Sequence, residues 1–388
     1  MDATEPAPEY LLMQSASSEA ALDSQPIMPL SVVLPNFNDG KVLPRALHSL
    51  LAQKPAAAEI IVVDDGSSDN SVAVVEELQA RHPSIRLIRN ETNLGIVASV
   101  RRALDVATGE FLLCASSDDF VLPGLFDRAF KALSDNPAAA FFCASVAMVD
   151  IRDQIIGLRP VTTPRLSPGY LSPADVRRAI KRTDFWVLGT STVYRRKLLA
   201  EIGYFDPSLG SIGDVLANRL LAFQHGFYFD PAVLGVYNKD PGSFSGRSAL
   251  SVKNSRQVLD AAQSWMAAKL PEDIREQHAR LFDRRMRFGL ARLQVIWRSG
   301  NLDSDAVSDL LNFAPFDRKV MAVLAAIPLI SGVLTLGWMT LRLRPFGIVG
   351  VFAAIWRAYS FKWFGRVAVQ RQINQMASAG EPAPAHTT

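Results

Sequence analysis

Two adjacent carboxylates follow a short apolar run in the stretch FLLCASSDDFVLPG at residues 111–124. The run FLLC is typical of a strand buried on both faces of a sheet. Asp118 and Asp119 therefore lie where that strand ends, and two like charges so close are costly unless a cation compensates them. Carboxylate oxygens favour Mg²⁺ or Mn²⁺, which complete their coordination with water and phosphate oxygens. The pair predicts a divalent-metal site that serves a phosphorylated substrate.

Polar residues also follow two earlier apolar runs. LSVVLP at residues 30–35 is followed by NFND, and EIIVVD at residues 59–64 is followed by DGSSD. Each segment alone is typical of a turn or a helix start, and so is SSDD. Because all three follow successive strands, we favour one shared binding edge over three separate turns.

The elements that must position these residues alternate between strands and helices, which predicts an α/β fold. The predicted strands are residues 30–35, 59–64, 85–89, 111–114 and 139–145, and helical patterns separate them. Near-continuous apolar strands of this kind indicate a mostly parallel sheet with helices on both faces. In such sheets, ligands bind beyond the carboxyl ends of the strands, where the acidic residues gather.

Composition and missing motifs exclude several other classes of protein. The 388 residues include 41 Lys and Arg against 38 Asp and Glu, a net charge of +3 that argues against nucleic-acid binding. A Walker loop (GxxxxGK[ST]) is absent from the sequence, and no GxGxxG follows the first predicted strand. Cys114 and Cys143 lie in apolar strand-like runs, so we predict buried, reduced thiols.

These segments together resemble the family 2 glycosyltransferases of the GT-A fold. The resemblance rests on LSVVLPNFNDGKVLPRALHSLLAQ, EIIVVDDGSSDNSVAVVEEL, NLGIVASVRRAL and TGEFLLCASSDDFVLPGLFDRA, and it extends over about residues 30 to 240. It implies a GT-A sheet whose Rossmann-like half binds a nucleotide. The implied activity is an inverting transfer of a hexosyl group from a nucleotide-sugar donor, with a UDP-sugar favoured.

The resemblance also assigns the donor site residue by residue. By motif position, Asn38 and Asp65 contact the nucleoside, and Pro35 and Phe37 shape the pocket around it. The neighbouring Asp64 mainly orients the loop.

The SSDD segment corresponds to the family's metal motif. The resemblance implies that Asp118 lies near the ribose and that Asp119, alone or together with Asp118, holds Mn²⁺ or Mg²⁺ on the diphosphate. Ser117 stands at the first acidic position of the Asp-x-Asp pattern.

The implied catalytic base lies in the segment IGYFDPSLGSIGDVLANRLLAFQHG. The family carries a Glu-Asp pair here; Gly213 stands at the glutamate position and Asp214 at the aspartate position. Asp214 would deprotonate the acceptor hydroxyl, with a helix N-cap as its alternative role. Farther on, Asn238 and Asp240 stand where the family carries arginine and histidine.

The C-terminal part of the chain is more apolar. Residues 320–341 contain no charge and are long enough to span a bilayer, but an interfacial helical hairpin that turns near Pro345 fits the flanking positive charges better. A buried helix of a soluble domain is the alternative. The helix around Arg284, Arg285 and Arg287 has a basic face that would meet either anionic lipid or solvent.

The predicted organisation has five parts. They are a disordered tail at 1–28, a GT-A catalytic domain at 29–245, a helical extension at 246–315, a membrane-associated segment at 316–366 and a disordered tail at 367–388. We expect a lipid-linked or polysaccharide acceptor, and a location at the inner face of a bacterial cytoplasmic membrane. Two alternatives stay open: a sugar-phosphate nucleotidyltransferase, and a catalytically impaired relative that acts as a binding or scaffold protein.

Overall fold

A mixed sheet forms the centre of the N-terminal part of the described chain. A computed structural model describes residues 27–182, 189–239, 252–297, 303–327, 330–345 and 348–379. These residues contain a sheet of ten strands: β1 (Ile27–Asn36), β2 (Ala56–Asp64), β3 (Ile85–Arg89), β4 (Phe111–Cys114), β5 (Phe120–Val121), β6 (Phe141–Val149), β7 (Ile155–Arg159), β8 (Gly169–Leu171), β9 (Thr192–Arg195) and β10 (Phe227–Asn238). Their order is β3-β2-β1-β4-β9-β6-β10-β5, with β7 beside β6 and β8 beside β10.

Six of these strands run in one direction, which confirms the predicted mostly parallel α/β sheet. β1 pairs in parallel with β2 and β4, β2 with β3, and β6 with β10. β9 lies antiparallel between β4 and β6, so β4 and β6 also point the same way. The carboxyl ends of all six strands consequently lie at one edge of the sheet.

Helices cover both faces of this sheet. They are α1 (Leu43–Leu51), α2 (Ser71–Arg81), α3 (Ile96–Val106), α4 (Leu125–Asp135), α5 (Pro173–Arg182), α6 (Arg196–Glu201) and α7 (Gly213–His225). Consecutive strand residues belong to opposite cores, as side-chain alternation requires. Val32 packs in the core that includes α1, α2 and α4, whereas Val33 packs in the core that includes α3, α5 and α7.

The C-terminal part of the described chain is helical, as predicted. Its helices are α8 (Val252–Lys269), α9 (Glu272–Trp297), α10 (Ser304–Leu310), α11 (Pro315–Ala325), α12 (Ser331–Leu343), α13 (Ile348–Ser360) and α14 (Arg366–Ala379), and a π-helical turn at Phe361–Gly365 joins the last two. A separate apolar core that includes Phe288, Leu310, Met321 and Met339 holds α9 to α12 together.

The charge-free run at residues 320–341 does not form one continuous helix. α11 ends at Ala325 and α12 begins at Ser331, and the predicted turn near Pro345 falls between α12 and α13. Among the residues that the structure describes, each helix is too short or too polar to cross a bilayer.

The prediction of a disordered tail from residue 367 is wrong over much of its length, because α14 extends to Ala379. Val369, Ile373 and Met376 recur at helical spacing and pack against the apolar core around Phe120 and Val149. These three side chains bury apolar surface, which a disordered tail would not do. Of the predicted N-terminal tail, only residues 27–28 are described, and they begin β1.

Two arginines of α9, the helix with the predicted basic face, form hydrogen bonds within the protein. Arg285 of α9 is only 5% exposed and donates hydrogen bonds to the carbonyls of Ile180 and Pro345. Arg287 donates to the carboxylate of Asp283, four residues earlier on the same helix. These two arginines stabilise the packing of α9 and do not face a lipid surface.

Candidate active site

The carboxylates of the SSDD segment lie between β4 and β5, at the carboxyl edge of the sheet. Asp119 is 6% exposed, and both of its oxygens accept hydrogen bonds from distant parts of the chain. Thr190 Oγ1 donates to Oδ2 over 2.5 Å, and the backbone N–H of Asn238 donates to Oδ1 over 2.9 Å. Asp118 is half-buried, and its main-chain oxygen accepts a hydrogen bond of 2.8 Å from Nδ2 of Asn238.

Burial and charge oppose the ionisation of Asp119. Desolvation, followed by the neighbouring charge of Asp118, raises the pKa of Asp119 to about 8, against the hydrogen bonds from Thr190 and Asn238. Ionising both neighbouring carboxylates therefore costs free energy, as the sequence predicts.

Ser117, at the first position of the predicted metal motif, contacts the loop that follows β1. Its hydroxyl donates a hydrogen bond to Oδ2 of Asp39. The NFND and SSDD segments thus meet at the same edge of the sheet, as the sequence predicts.

Asp214 lies in the first turn of α7, and the residue in the N-cap position of that helix is Ile212. Oδ1 of Asp214 accepts a hydrogen bond of 2.8 Å from the N–H of Val215. Burial raises the pKa of Asp214 to about 6, although that hydrogen bond acts in the opposite direction. A carboxyl with this pKa is ionised at neutral pH and remains basic enough to accept a proton.

The segment Gly189–Thr190 links Asp214 to the acidic pair. A methyl group built on Gly189 would come 3.8 Å from Oδ2 of Asp214 and 3.6 Å from the carbonyl oxygen of Cys114, at the end of β4. The next residue, Thr190, donates to Asp119. The charge of Asp214 also contributes, after burial, to raising the pKa of the Cys114 thiol to about 12. The predicted base and the predicted metal carboxylates therefore lie close together.

The loops after β1 and β2 hold each other in place. Asn38 adopts a left-handed conformation (φ 57°), and its Oδ1 accepts a hydrogen bond of 2.8 Å from the N–H of Ser68. Asp64 accepts from Nδ2 of Asn36 and from the N–H of Ser67, both at about 3 Å. Asp64 thus makes contacts that orient the loop after β2, as expected from the family resemblance.

Asp65 is engaged in the same way by the loop after β3. It is 3% exposed and accepts hydrogen bonds of 2.7 to 2.8 Å from Nδ2 of Asn90 and from the N–H groups of Leu94 and Gly95. Burial opposes ionisation, but these hydrogen bonds outweigh it and lower the pKa of Asp65. Asp65 therefore fixes the loop at residues 90–95, and its predicted contact with a nucleoside stays a prediction.

The residues predicted to line the nucleoside pocket differ in exposure. Phe37 is 44% exposed and Asn38 is exposed, so both side chains are accessible at the rim. Pro35 is buried and pairs with Val63 of β2 in the sheet. Pro35 can shape the pocket only through the backbone of β1.

Comparison with known proteins identifies the catalytic region. Residues 31–203 match the family model described as glycosyl transferase family 2. Residues 31–203 form a family 2 glycosyltransferase domain. The match begins within β1, extends past β9 and includes the acidic pair, whereas Asp214 lies beyond it.

Two relatives align with about half or more of this chain, and a solved structure shares its fold. An uncharacterized glycosyltransferase of Nostoc sp. is 28% identical over 183 residues, which cover 46% of this chain and 55% of that protein. An uncharacterized protein of Mycobacterium tuberculosis is 29% identical over 262 residues, 66% of this chain and 81% of that protein. The crystal structure of residues 1–349 of S. aureus TarS with UDP-GlcNAc shares the fold, with a TM-score of 0.54 at 19% identity over 81% of this chain and 92% of that chain.

The acidic pair of the glycosyltransferase domain fits a divalent cation that is held mainly by its substrate. Among the described residues, no group of three or more His, Cys, Asp or Glu side chains is arranged to hold a metal ion. Mg²⁺ and similar cations bind through one or two carboxylates when phosphate oxygens and water supply the remaining ligands. Asp118 and Asp119 provide such a pair, and a cation would oppose the burial and the like charge that raise the pKa of Asp119, and so favour its ionised form.

Thr190 is the site residue that sequence reasoning missed. It lies in VLGTSTVY, which carries no recognisable motif, and only the fold brings its hydroxyl to Asp119. Asn238, which stands where the family carries arginine, donates hydrogen bonds to both Asp118 and Asp119. Asp240 lies outside the described residues.

Proposed function

We propose that this glycosyltransferase moves a sugar from a nucleotide-sugar donor to an acceptor hydroxyl with inversion of configuration. The observation that carries the proposal is the proximity of Asp214 to the Asp118–Asp119 pair through Gly189 and Thr190. A general base and a diphosphate-binding carboxylate pair are the two functions that such a transfer requires.

A UDP-sugar is the proposed donor. TarS, which shares the fold, has been crystallised with UDP and with UDP-GlcNAc. The accessible side chains of Phe37 and Asn38 lie at the loop that would meet the nucleoside. The buried Asp65 and its hydrogen bonds would keep the neighbouring loop at residues 90–95 in position for that contact.

Asp214 is the proposed general base that acts on the acceptor. Its carboxylate would take the proton of the acceptor hydroxyl as the hydroxyl oxygen bonds to the anomeric carbon. The bond between that carbon and the diphosphate breaks on the opposite face, so the configuration inverts. Asp119, alone or with Asp118, would hold the divalent cation, whose positive charge would stabilise the departing diphosphate.

We further propose a lipid-linked or polysaccharide acceptor at the inner face of a bacterial cytoplasmic membrane. A poly-β-1,6-N-acetyl-D-glucosamine synthase of Staphylococcus epidermidis is 22% identical over 218 residues, 55% of this chain and 50% of that protein, which supports a role in glycan synthesis.

Replacement of Asp214 by Asn tests the assignment of the base. We expect UDP binding, measured by calorimetry with Mn²⁺, to be unchanged and sugar transfer to fall by about 10²- to 10⁴-fold. Asp105→Asn, which changes an exposed acid on α3, is the matched control and should retain full transfer. Near-normal transfer by Asp214→Asn would show that Asp214 is not the general base.

A binding or scaffold protein without catalysis is the second candidate. Gly213 at the position of the family's glutamate, and Asn238 and Asp240 at the positions of arginine and histidine, favour it. Hydrolysis of sugar nucleotides by the wild-type chain, monitored as release of nucleoside diphosphate, would argue against a scaffold. Formation of a nucleotide sugar from a sugar phosphate would instead support a nucleotidyltransferase.

A further inference from the structure

Helix α13 and the turn after it expose a row of four aromatic side chains. Phe352, Trp356, Tyr359 and Trp363 recur at intervals of four, three and four residues, which places them on one side of the helix. They are 68%, 72%, 60% and 65% exposed, and the rings of Tyr359 and Trp363 lie 6.2 Å apart. We call this row the aromatic stripe.

The two preceding helices also expose apolar side chains. Phe316 and Val323 of α11 are 67% and 65% exposed, and Val333 and Leu341 of α12 are 74% and 59% exposed. On each helix these residues lie seven or eight positions apart, about two turns, and so share a face. The buried faces of the same helices pack through Met321 and Met339 into the helical core.

The sequence around the aromatic stripe is basic. From residue 318 to residue 380 it contains eight Lys and Arg and no Asp or Glu, and two of these residues, Arg318 and Arg342, form ion pairs with Asp309 and Asp317. Lys362 is exposed next to the aromatic stripe, and Arg366 begins α14. A surface with this charge complements an anionic one.

We propose that the aromatic stripe of α13 docks on an anionic lipid bilayer and lies in its interface. Trp and Tyr side chains concentrate at the boundary between lipid and water, where one end is apolar and the other hydrated. Apolar helix faces flanked by Lys and Arg bind such a boundary without crossing it. This docking is independent of the proposed transfer chemistry.

The aromatic stripe belongs to a helix that is fixed to the catalytic domain. Arg357 of α13 donates hydrogen bonds to the carbonyl of Pro160 and to Oγ of Ser145, the latter over 2.8 Å. Gln370 of α14 donates to the carbonyl of Asp153 over 2.7 Å. A membrane that holds the aromatic stripe would therefore also fix the orientation of the glycosyltransferase domain.

Co-sedimentation of the full-length protein with vesicles tests the proposal. We expect binding to phosphatidylcholine vesicles that contain phosphatidylglycerol, and weaker binding to vesicles of phosphatidylcholine alone. The variant Trp356→Ser/Tyr359→Ser/Trp363→Ser should lower the partition coefficient by about tenfold or more, because three interfacial side chains are removed. Ile27→Ser, which changes an apolar residue that is 68% exposed at the start of β1, is the matched control and should bind like wild type.

A second variant tests the electrostatic part. Lys362→Gln/Arg366→Gln should lose much of the preference for phosphatidylglycerol while keeping the apolar contribution. Circular dichroism and the Tm establish that each variant is folded, which we expect because the three stripe residues are at least 60% exposed.

Three outcomes would overturn the proposal. Equal vesicle binding by the stripe variant and wild type would exclude this surface. Retention of the protein in membranes after alkaline carbonate extraction would indicate a spanning anchor instead of an interfacial one. A wild-type dimer that the stripe variant converts to a monomer, without vesicle binding by either, would assign the surface to a second copy of the chain.

Discussion

The hydroxyl of Thr190 lies 2.5 Å from Oδ2 of Asp119, and the two residues are 71 positions apart in the chain. A second donor, the N–H of Asn238, fixes the other oxygen of the same carboxylate. Asp119 is therefore held by a short helical turn and by the end of β10, while its neighbour Asp118 remains half-buried. The carboxylate of Asp118 accepts a hydrogen bond from the hydroxyl of Ser116, so a local contact positions Asp118 whereas distant segments position Asp119.

Substitutions at this carboxylate should separate metal binding from folding. In Asp119→Asn we expect the affinity for UDP in Mn²⁺ to fall to the value measured in EDTA, because the charged ligand is lost. Thr190→Val keeps the shape of the side chain and removes the donor, so the free energy of unfolding should fall by about 1–3 kcal/mol. Calorimetry and urea unfolding are the measurements.

The controls for this pair are Asp105→Asn and Thr340→Val, at exposed positions of α3 and α12. Asp105→Asn should retain the Mn²⁺-dependent increment in UDP affinity, and Thr340→Val should change the free energy of unfolding by less than about 0.5 kcal/mol. If Asp119→Asn also retains that increment, Asp119 is not a metal ligand.

The pH dependence of transfer should report the ionisation of Asp214. Its pKa is raised from 3.8 to about 6 by burial, and the base acts only as the carboxylate. We expect kcat/KM to fall about tenfold per pH unit below pH 6. A profile that stays flat down to pH 5 would argue against Asp214 as the base.

The same pKa predicts the stability of Asp214→Asn. A carboxyl whose pKa is raised in the folded state destabilises the protein where it is ionised, so the variant should have the higher Tm at pH 7.5. The difference in Tm should shrink as the pH falls through 6 towards 3.8, because the wild-type carboxyl then takes up its proton. A destabilised variant at pH 7.5 would instead indicate that the main role of Asp214 is to stabilise the start of α7.

Asp65→Asn should destabilise the fold more than it alters chemistry. The substitution places an amide NH₂ group among the N–H donors of Asn90, Leu94 and Gly95. We expect a loss of about 1–3 kcal/mol in the free energy of unfolding, against less than about 0.5 kcal/mol for Asp105→Asn. Weaker UDP binding without this loss of stability would assign Asp65 a direct contact with the nucleoside.

Ile373→Ala tests whether α14 belongs to the catalytic core. Ile373 is fully buried beside Phe120, the residue that follows Asp119. The cavity left by the substitution should cost about 2–5 kcal/mol, measured by urea unfolding. Gln372→Ala, at an exposed neighbouring position, is the control and should be close to neutral; equal stability of the two variants would mean that α14 does not pack there.

Much of the catalytic domain was predictable because its signals are local. Apolar runs such as EIIVVD and FLLC mark strands, and helical periodicity between them marks the crossovers, so the α/β class and the acidic edge follow from short windows of sequence. The acidic segments placed Asp64, Asp118 and Asp119 at that edge, and the family resemblance placed Asp214 near them; in the structure Gly189 and Thr190 bring Asp214 close to the Asp118–Asp119 pair.

Other features depend on partners that no short window contains. The sequence of α14 predicted a disordered tail, because nothing nearby in the chain shows what could bury Ile373. The surface that buries it is formed by β5 and β6. The basic face of α9 suggested solvent or lipid, but the carbonyls of Ile180 and Pro345 accept the hydrogen bonds of Arg285. In both cases the environment of the side chain comes from distant segments.

The sequence by itself determined which residues could act as acids or bases and which segments form strands, because residue type and periodicity can be read from short stretches of the chain. Only the tertiary structure decided which of these groups are buried, and burial is what raises the pKa of Asp214 to about 6 and that of Asp119 to about 8. It also supplied Thr190, whose hydroxyl reaches Asp119 across the fold. Desolvation and hydrogen bonding depend on distance in space, and the chain brings those atoms together only when it folds.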